Sequence, residues 1–97
     1  MSSEYQLAFK RSALKEWKKL AEPVKKQFKK KLEERLDMPR VASDALSGFE
    51  NYYKIKLRSV GYRLVYEVQD ETVTVTVIAV GTCERADVYR KAKDRLE

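Results

Sequence analysis

The stretch "NYYKIKLRSVGYRLVYEV", residues 51–68, carries Lys54, Lys56 and Arg58 at alternate positions, with Arg63 shortly after. A period of two places those three cations on one face of a strand and Tyr53, Ile55 and Leu57 on the other. The next segment offers Tyr62, Leu64, Tyr66 and Val68 as its own apolar set. Turning both sets to the same side sets Leu57 opposite Tyr62, Ile55 opposite Leu64 and Tyr53 opposite Tyr66, which leaves Lys56 directly across from Arg63. Like charges in that position destabilise a sheet, so folding alone gives no reason for them. A bound anion would. Outward Lys and Arg also serve solubility and discourage edge pairing, and at this level both readings stand.

Composition narrows the anion. The 97 residues hold 21 Lys+Arg against 15 Asp+Glu, a formal net charge of +6, which favours a polyanion or an acidic protein as partner, nucleic acid ahead of an anionic membrane. With no histidine and one cysteine, Cys83, neither a zinc site, a histidine-based catalyst nor an internal disulfide can be assembled. No cofactor or metal is expected. The apolar runs are short and interrupted, and residues 1–20 lack the layout of a secretory leader, so the expectation is a cytoplasmic chain without a membrane span.

The elements that must hold the strip follow from periodicity. Tyr5, Leu7 and Phe9 alternate, predicting a short opening strand. From Ser12 the period changes, and Ala13, Leu14, Trp17 and Leu20 mark an amphipathic helix. Pro23 suits the first turn of a second helix, in which Val24, Phe28, Leu32 and Leu36 recur every four residues to about Asp37. "MPRVASDALSGFEN" reads as a loop with anchors such as Leu46. Three strands are predicted next, at 53–58, 62–69 and 72–80, joined tightly near Ser59-Val60-Gly61 and Asp70-Glu71. In this reading Val73, Val75, Val77 and Ala79 face the core; Thr74, Thr76, Ile78 and Val80 share the cationic face, Ile78 beside Arg63. Ala86, Val88 or Tyr89, Ala92 and Leu96 predict a loosely held terminal helix, and Thr82, Cys83, Glu84 and Arg85 would rim the strip. The fold class is therefore α+β, one domain over residues 1–97 in the order β-α-α-β-β-β-α, with a mostly antiparallel four-stranded sheet and both N-terminal helices on one face. Trp17, Phe28 and Tyr66 are core. The run "KKQFKKK" of the second helix reads as a solvated face, and Tyr89 either packs or stacks on a base.

"ALKEWKKL" in the first helix, "YKIKLRSVGYRLVYEV" across the hairpin and "VIAVGTCERADVY" near the end resemble, in wording and spacing, the RelE branch of the RelE/ParE superfamily of bacterial toxins. The resemblance covers nearly the whole chain. It implies a metal-independent endoribonuclease that enters the A site of the 70S ribosome and cuts the mRNA codon there. The RNA 2′-hydroxyl attacks the adjacent phosphate and leaves a 2′,3′-cyclic phosphate and a free 5′-hydroxyl. By the same resemblance Lys54 and Lys56 hold the phosphate and help deprotonate the nucleophile, Arg63 stabilises developing charge, and Tyr89 positions or stacks the substrate. Arg58 and Arg85 would add RNA contacts. It further implies a RelB-like antitoxin as partner, and operator DNA bound only through the toxin–antitoxin complex.

Elementary chemistry is compatible with those roles. Neighbouring cations lower a lysine's pKa from about 10.4 and so raise its fraction of free amine. Arginine stays charged and offers paired donors to a phosphate that gains charge in the transition state. One departure stands out: relatives read "GKRER" where this chain has "GTCER", so Cys83 occupies the place of an arginine that assists departure of the 5′-oxygen. A thiol brings no positive charge and a thiolate would repel phosphate; the expectation is weakened activity, with Arg85 as a possible substitute. Two rivals share the fold: a ParE-like gyrase inhibitor, against which Lys54, Lys56, Arg63 and Tyr89 argue, and a catalytically silent RNA- or antitoxin-binding module, which Cys83 favours.

Overall fold

The computed structural model describes residues 5–82. The terminal helix expected beyond them, with Cys83, Arg85 and Tyr89, lies outside the described residues. Strand β1 (Gln6–Phe9) leads into helices α1 (Arg11–Lys18) and α2 (Glu22–Asp37); a 3-10 turn at Ala42–Asp44 follows, then strands β2 (Tyr52–Leu57), β3 (Tyr62–Gln69) and β4 (Thr74–Thr82). The sheet order is β1-β4-β3-β2. β1 runs parallel to β4 and the other pairs are antiparallel, so the class and order expected from the sequence hold through β4.

Both helices are amphipathic and cover one face of the sheet. Ala13 and Trp17 of α1 and Val24, Phe28 and Leu32 of α2 pack on Tyr53, Ile55, Leu57, Leu64, Tyr66, Val68, Val75, Val77 and Val80. Trp17 is the hinge of the packing, its ring centroid 5.3 Å from Phe9 and 6.1 Å from Phe28. Pro23 sits in the first turn of α2 as expected, where its missing N–H costs nothing. Leu14, placed on the apolar stripe by its spacing, is one of the exposed large hydrophobics instead. Among the described residues no helix is long and apolar enough to cross a membrane.

The β2–β3 register is the one the apolar pattern required: Leu57 opposite Tyr62, Ile55 opposite Leu64, Tyr53 opposite Tyr66, and Lys56 opposite Arg63. The β4 assignment needs correction. Its pairing with β3 shifts between Val65 and Tyr66, because Val65 faces Ala79 while Tyr66 faces Val77, leaving Ile78 as an extra residue. A bulge breaks strict alternation. Val77 and Val80 therefore both face the helices, and Ile78 and Ala79 between them face the other way. Ala79 is thus off the main core, Val80 is in it, and the residue beside Arg63 is Gly81 rather than Ile78.

The β3–β4 turn takes four residues, so β4 starts at Thr74, two residues later than expected. Val73, assigned to the core by alternation, closes that turn through its N–H, which donates to the Asp70 carbonyl at 3.2 Å. It is 41% exposed at φ 49°. A β-branched residue in the left-handed region is strained by about 1–2 kcal/mol. Val73→Asn, which tolerates that region, is expected to stabilise the chain by about 0.5–1 kcal/mol in urea denaturation; a lower midpoint would show that the Val73 side chain holds the turn.

Candidate nucleic-acid interface

β2 and β3 place the cations because their inner faces are committed to the helices. Lys54 and Lys56 project from the opposite face of β2, Arg63 faces Lys56 on β3, and all three are half-buried. Arg58 lies just past β2 in the connecting turn, exposed, so it extends the strip instead of lying within the ladder. Gly81, the β4 partner of Arg63, bears no side chain. The tight β2–β3 turn that allows this register closes with the Gly61 N–H donating to the Leu57 carbonyl at 2.9 Å. Gly61 adopts φ 69° there, which glycine accepts without steric cost.

The electrostatics follow from the crowding. The Lys56 ammonium sits below the ordinary lysine range, first because of Lys54, then Arg63, with desolvation and Arg58 adding to the effect; Asp44 opposes it. A cation whose folded-state pKa is depressed destabilises the fold while charged. That penalty is present at neutral pH and disappears as pH rises through the pKa and the ammonium loses its proton. The arrangement favours occupation by an anion and raises the free-amine fraction of one lysine.

The strip borders an apolar patch that the sequence did not reveal as part of the site. Tyr52, Val65, Ile78 and Ala79 are buried on this second face, with Leu46 and Phe49 packed against them. Phe49 lies 5.9 Å from Tyr52 by ring centroids. The loop that supplies Leu46 and Phe49 is tied to the edge of β2: the Leu46 N–H donates to the Tyr52 carbonyl at 2.9 Å, and Ala45 bridges to Tyr53. Burial, together with the Glu67 carboxylate opposite it, pushes the Tyr52 phenol up to about 12, so it stays protonated at any physiological pH. A less polar border weakens solvent screening of the adjacent charges.

Behind the strip lies a second polar group that periodicity also missed. Arg35 of α2 donates to the Tyr66 hydroxyl at 2.9 Å, to the Lys54 carbonyl at 3.3 Å and to Asp44 Oδ2 at 2.6 Å. Tyr66 in turn donates to the Pro39 carbonyl at 2.7 Å. The available signal was slight: Arg35 falls three residues after Leu32, on the side of α2 where an apolar residue would ordinarily complete the stripe.

The family model described as ParE toxin of type II toxin-antitoxin system, parDE, matches residues 7–87. The mRNA interferase toxin RelE of Escherichia coli strain K12 is 54% identical over 92 residues, covering 95% of this chain and 97% of the relative. Among solved structures, a doubly substituted E. coli RelE in the free state superposes with a TM-score of 0.89 at 52% identity, covering 97% of this chain and 99% of that chain. The toxin in the intact E. coli RelBE toxin–antitoxin complex gives 0.80 at 57% identity, over 84% and 99%. The chain belongs to the toxin family of type II toxin–antitoxin systems, and within it to the RelE type.

Lys56→Met tests the electrostatic picture of the strip without any substrate. The variant is expected to melt at a higher temperature than the parent at pH 7, and the difference should shrink as the pH rises and Lys56 of the parent is deprotonated. A lower melting temperature at neutral pH would mean that Lys56 is not under like-charge strain.

Proposed function

We propose that this chain is the toxin of a type II toxin–antitoxin pair and acts in the cytoplasm as a ribosome-dependent mRNA endoribonuclease, cutting the codon in the 70S A site. The observation that carries this reading is the half-buried row of Lys54, Lys56 and Arg63 on one sheet face, with Lys56 opposite Arg63. The high identity to a protein named as an mRNA interferase supports the same reading.

In this mechanism Lys54 and Lys56 grip the scissile phosphate and Lys56, its basicity reduced by Lys54 and Arg63, accepts the proton of the RNA 2′-hydroxyl. The 2′-oxygen attacks phosphorus, the bond to the 5′-oxygen breaks, the departing oxygen takes a proton from water and Lys56 returns its proton to solvent, leaving a 2′,3′-cyclic phosphate and a 5′-hydroxyl. Arg63 donates to the non-bridging oxygens as their charge grows. Tyr89 stacks on or positions the substrate, while Arg58 and Arg85 hold the RNA backbone. The ribosome supplies orientation by fixing the mRNA, so the protein needs no histidine and no metal. Cys83 stands where the family carries an arginine at the leaving 5′-oxygen, and it offers no cation there. The intrinsic activity is therefore attenuated.

The partner in this reading is a RelB-like antitoxin. The solved complex of E. coli RelE with its antitoxin is the precedent for such a pair, and the net charge of +6 suits an acidic binding segment. Operator DNA is contacted through the complex.

Two experiments test the proposal. In a translation extract with mRNA 5′ ends mapped, Cys83→Arg is expected to raise A-site cleavage on the order of 100-fold, the scale of one donor to a developing charge; equal cleavage by parent and variant would remove Cys83 from the mechanism. Stalled gyrase without codon-specific cuts would replace the reading with gyrase inhibition. Lys56→Ala should weaken ribosome association more at low than at high salt, as loss of a phosphate contact does. A loss independent of salt would argue against direct phosphate binding.

A further inference from the structure

Asp44 is the carboxylate whose field reaches Lys56, opposing the cations that crowd it. It lies in the loop that runs along the edge of β2, next to Ala45, the bridge partner of Tyr53. Left to itself, an aspartate beside a cationic strip would pair with the nearest ammonium and compete with a phosphate for it. Here it does not. Its Oδ2 is held at 2.6 Å by Arg35, whose side chain is 12% exposed against 27% for Asp44. The guanidinium also donates to the Tyr66 hydroxyl and the Lys54 carbonyl, so three partners set its position. Burial works against the guanidinium charge, but the Tyr66 and Asp44 contacts outweigh it.

We propose that Arg35 is a positioning residue of the phosphate site: by engaging the Asp44 carboxylate at the edge of β2 it keeps that carboxylate off Lys56 and preserves the positive potential of the strip. This inference rests on the reading of the strip as a phosphate site. The contact with the Lys54 carbonyl gives Arg35 a second role on the same strand, fixing the backbone from which Lys54 and Lys56 project. The charged groups that face Lys56 are then accounted for by element: Lys54 on β2 and Arg58 just past it, Arg63 on β3, and Asp44 on the loop with Arg35 of α2 behind it. Glu67 faces Tyr52 at the far end of the ladder.

The test separates charge from mere anchoring of the loop. The Lys56 side chain is titrated by NMR in the parent, Arg35→Met, Asp44→Asn and the double variant, and affinity for a fluorescein-labelled single-stranded oligoribonucleotide is measured at low salt. Arg35→Met is expected to move the Lys56 pKa back toward the ordinary lysine range and to weaken RNA binding about threefold, the scale of one partly exposed charge interaction. Adding Asp44→Asn should reverse both changes, because the released carboxylate is gone. A Lys56 titration unmoved by Arg35→Met, or a double variant no better than the single one, would overturn the inference in favour of simple loop anchoring. Should Arg35→Met lose its folded spectrum, Arg35→Gln decides, since glutamine keeps a donor for Tyr66 and the Lys54 carbonyl but not the charge that engages Asp44. A rise in the Lys56 pKa supports the inference and an unchanged value overturns it. RNA affinity that Lys56→Ala leaves at the parental level would instead count against the phosphate reading itself, while the titrations would still decide the role of Arg35.

Discussion

Packing the inner face of a two-stranded ribbon forces the cationic site into existence. Tyr53, Ile55 and Leu57 on β2 and Leu64, Tyr66 and Val68 on β3 are buried under the helices, and a slip of one residue would turn all of them to solvent. That requirement fixes the register, and the register sets Lys56 across from Arg63. The like-charge pairing is thus set by the backbone register. The helices hold it in place by gripping the opposite side of the same strands.

Around that constraint the rest of the molecule falls into supporting roles. Trp17 and Phe28 brace the helices on the sheet, and β1, paired in parallel with β4, completes the surface on which they sit. The bulge at Ile78 gives β4 two successive residues on the second face, and these join Val65 and Tyr52 in the apolar patch beside the strip. Without it, alternation would set Ile78 and Val80 on that face and take Val80 from the main core. The extra residue therefore serves both sides of the sheet: it keeps Val80 opposite Leu64 among the core residues and builds a less polar border where the cations need weak screening.

The loop between α2 and β2 acts on the same strands from outside. One tie runs from Arg40, which binds Asp70 at 2.6 Å and Asn51 at 2.7 Å and so joins the loop to the β3–β4 turn. The other runs from Arg35 through Asp44 and Tyr66. Tyr66 shows how closely core and site are joined: its ring stacks on Tyr53 at 5.7 Å, while its hydroxyl reaches the Arg35 and Pro39 groups that define the loop.

The sequence by itself determined the α+β order through β4, the two helices, the β2–β3 pairing and the outward placement of Lys54, Lys56 and Arg63. These follow from short-range periodicity, since a strand has only two faces and Lys54, Lys56 and Arg63 each stand between apolar neighbours. The tertiary structure alone decided the β4 face assignment, because a bulge is a one-residue insertion that leaves the composition of "TVTVTVIAV" unchanged and is detectable only against its partner strand. It also decided that Val73 leaves the core, through the length of a turn, and that Arg35 meets Asp44 and Tyr66. Those three residues lie on a helix, a loop and a strand far apart in the chain, and no local pattern records a contact made only when all three elements pack.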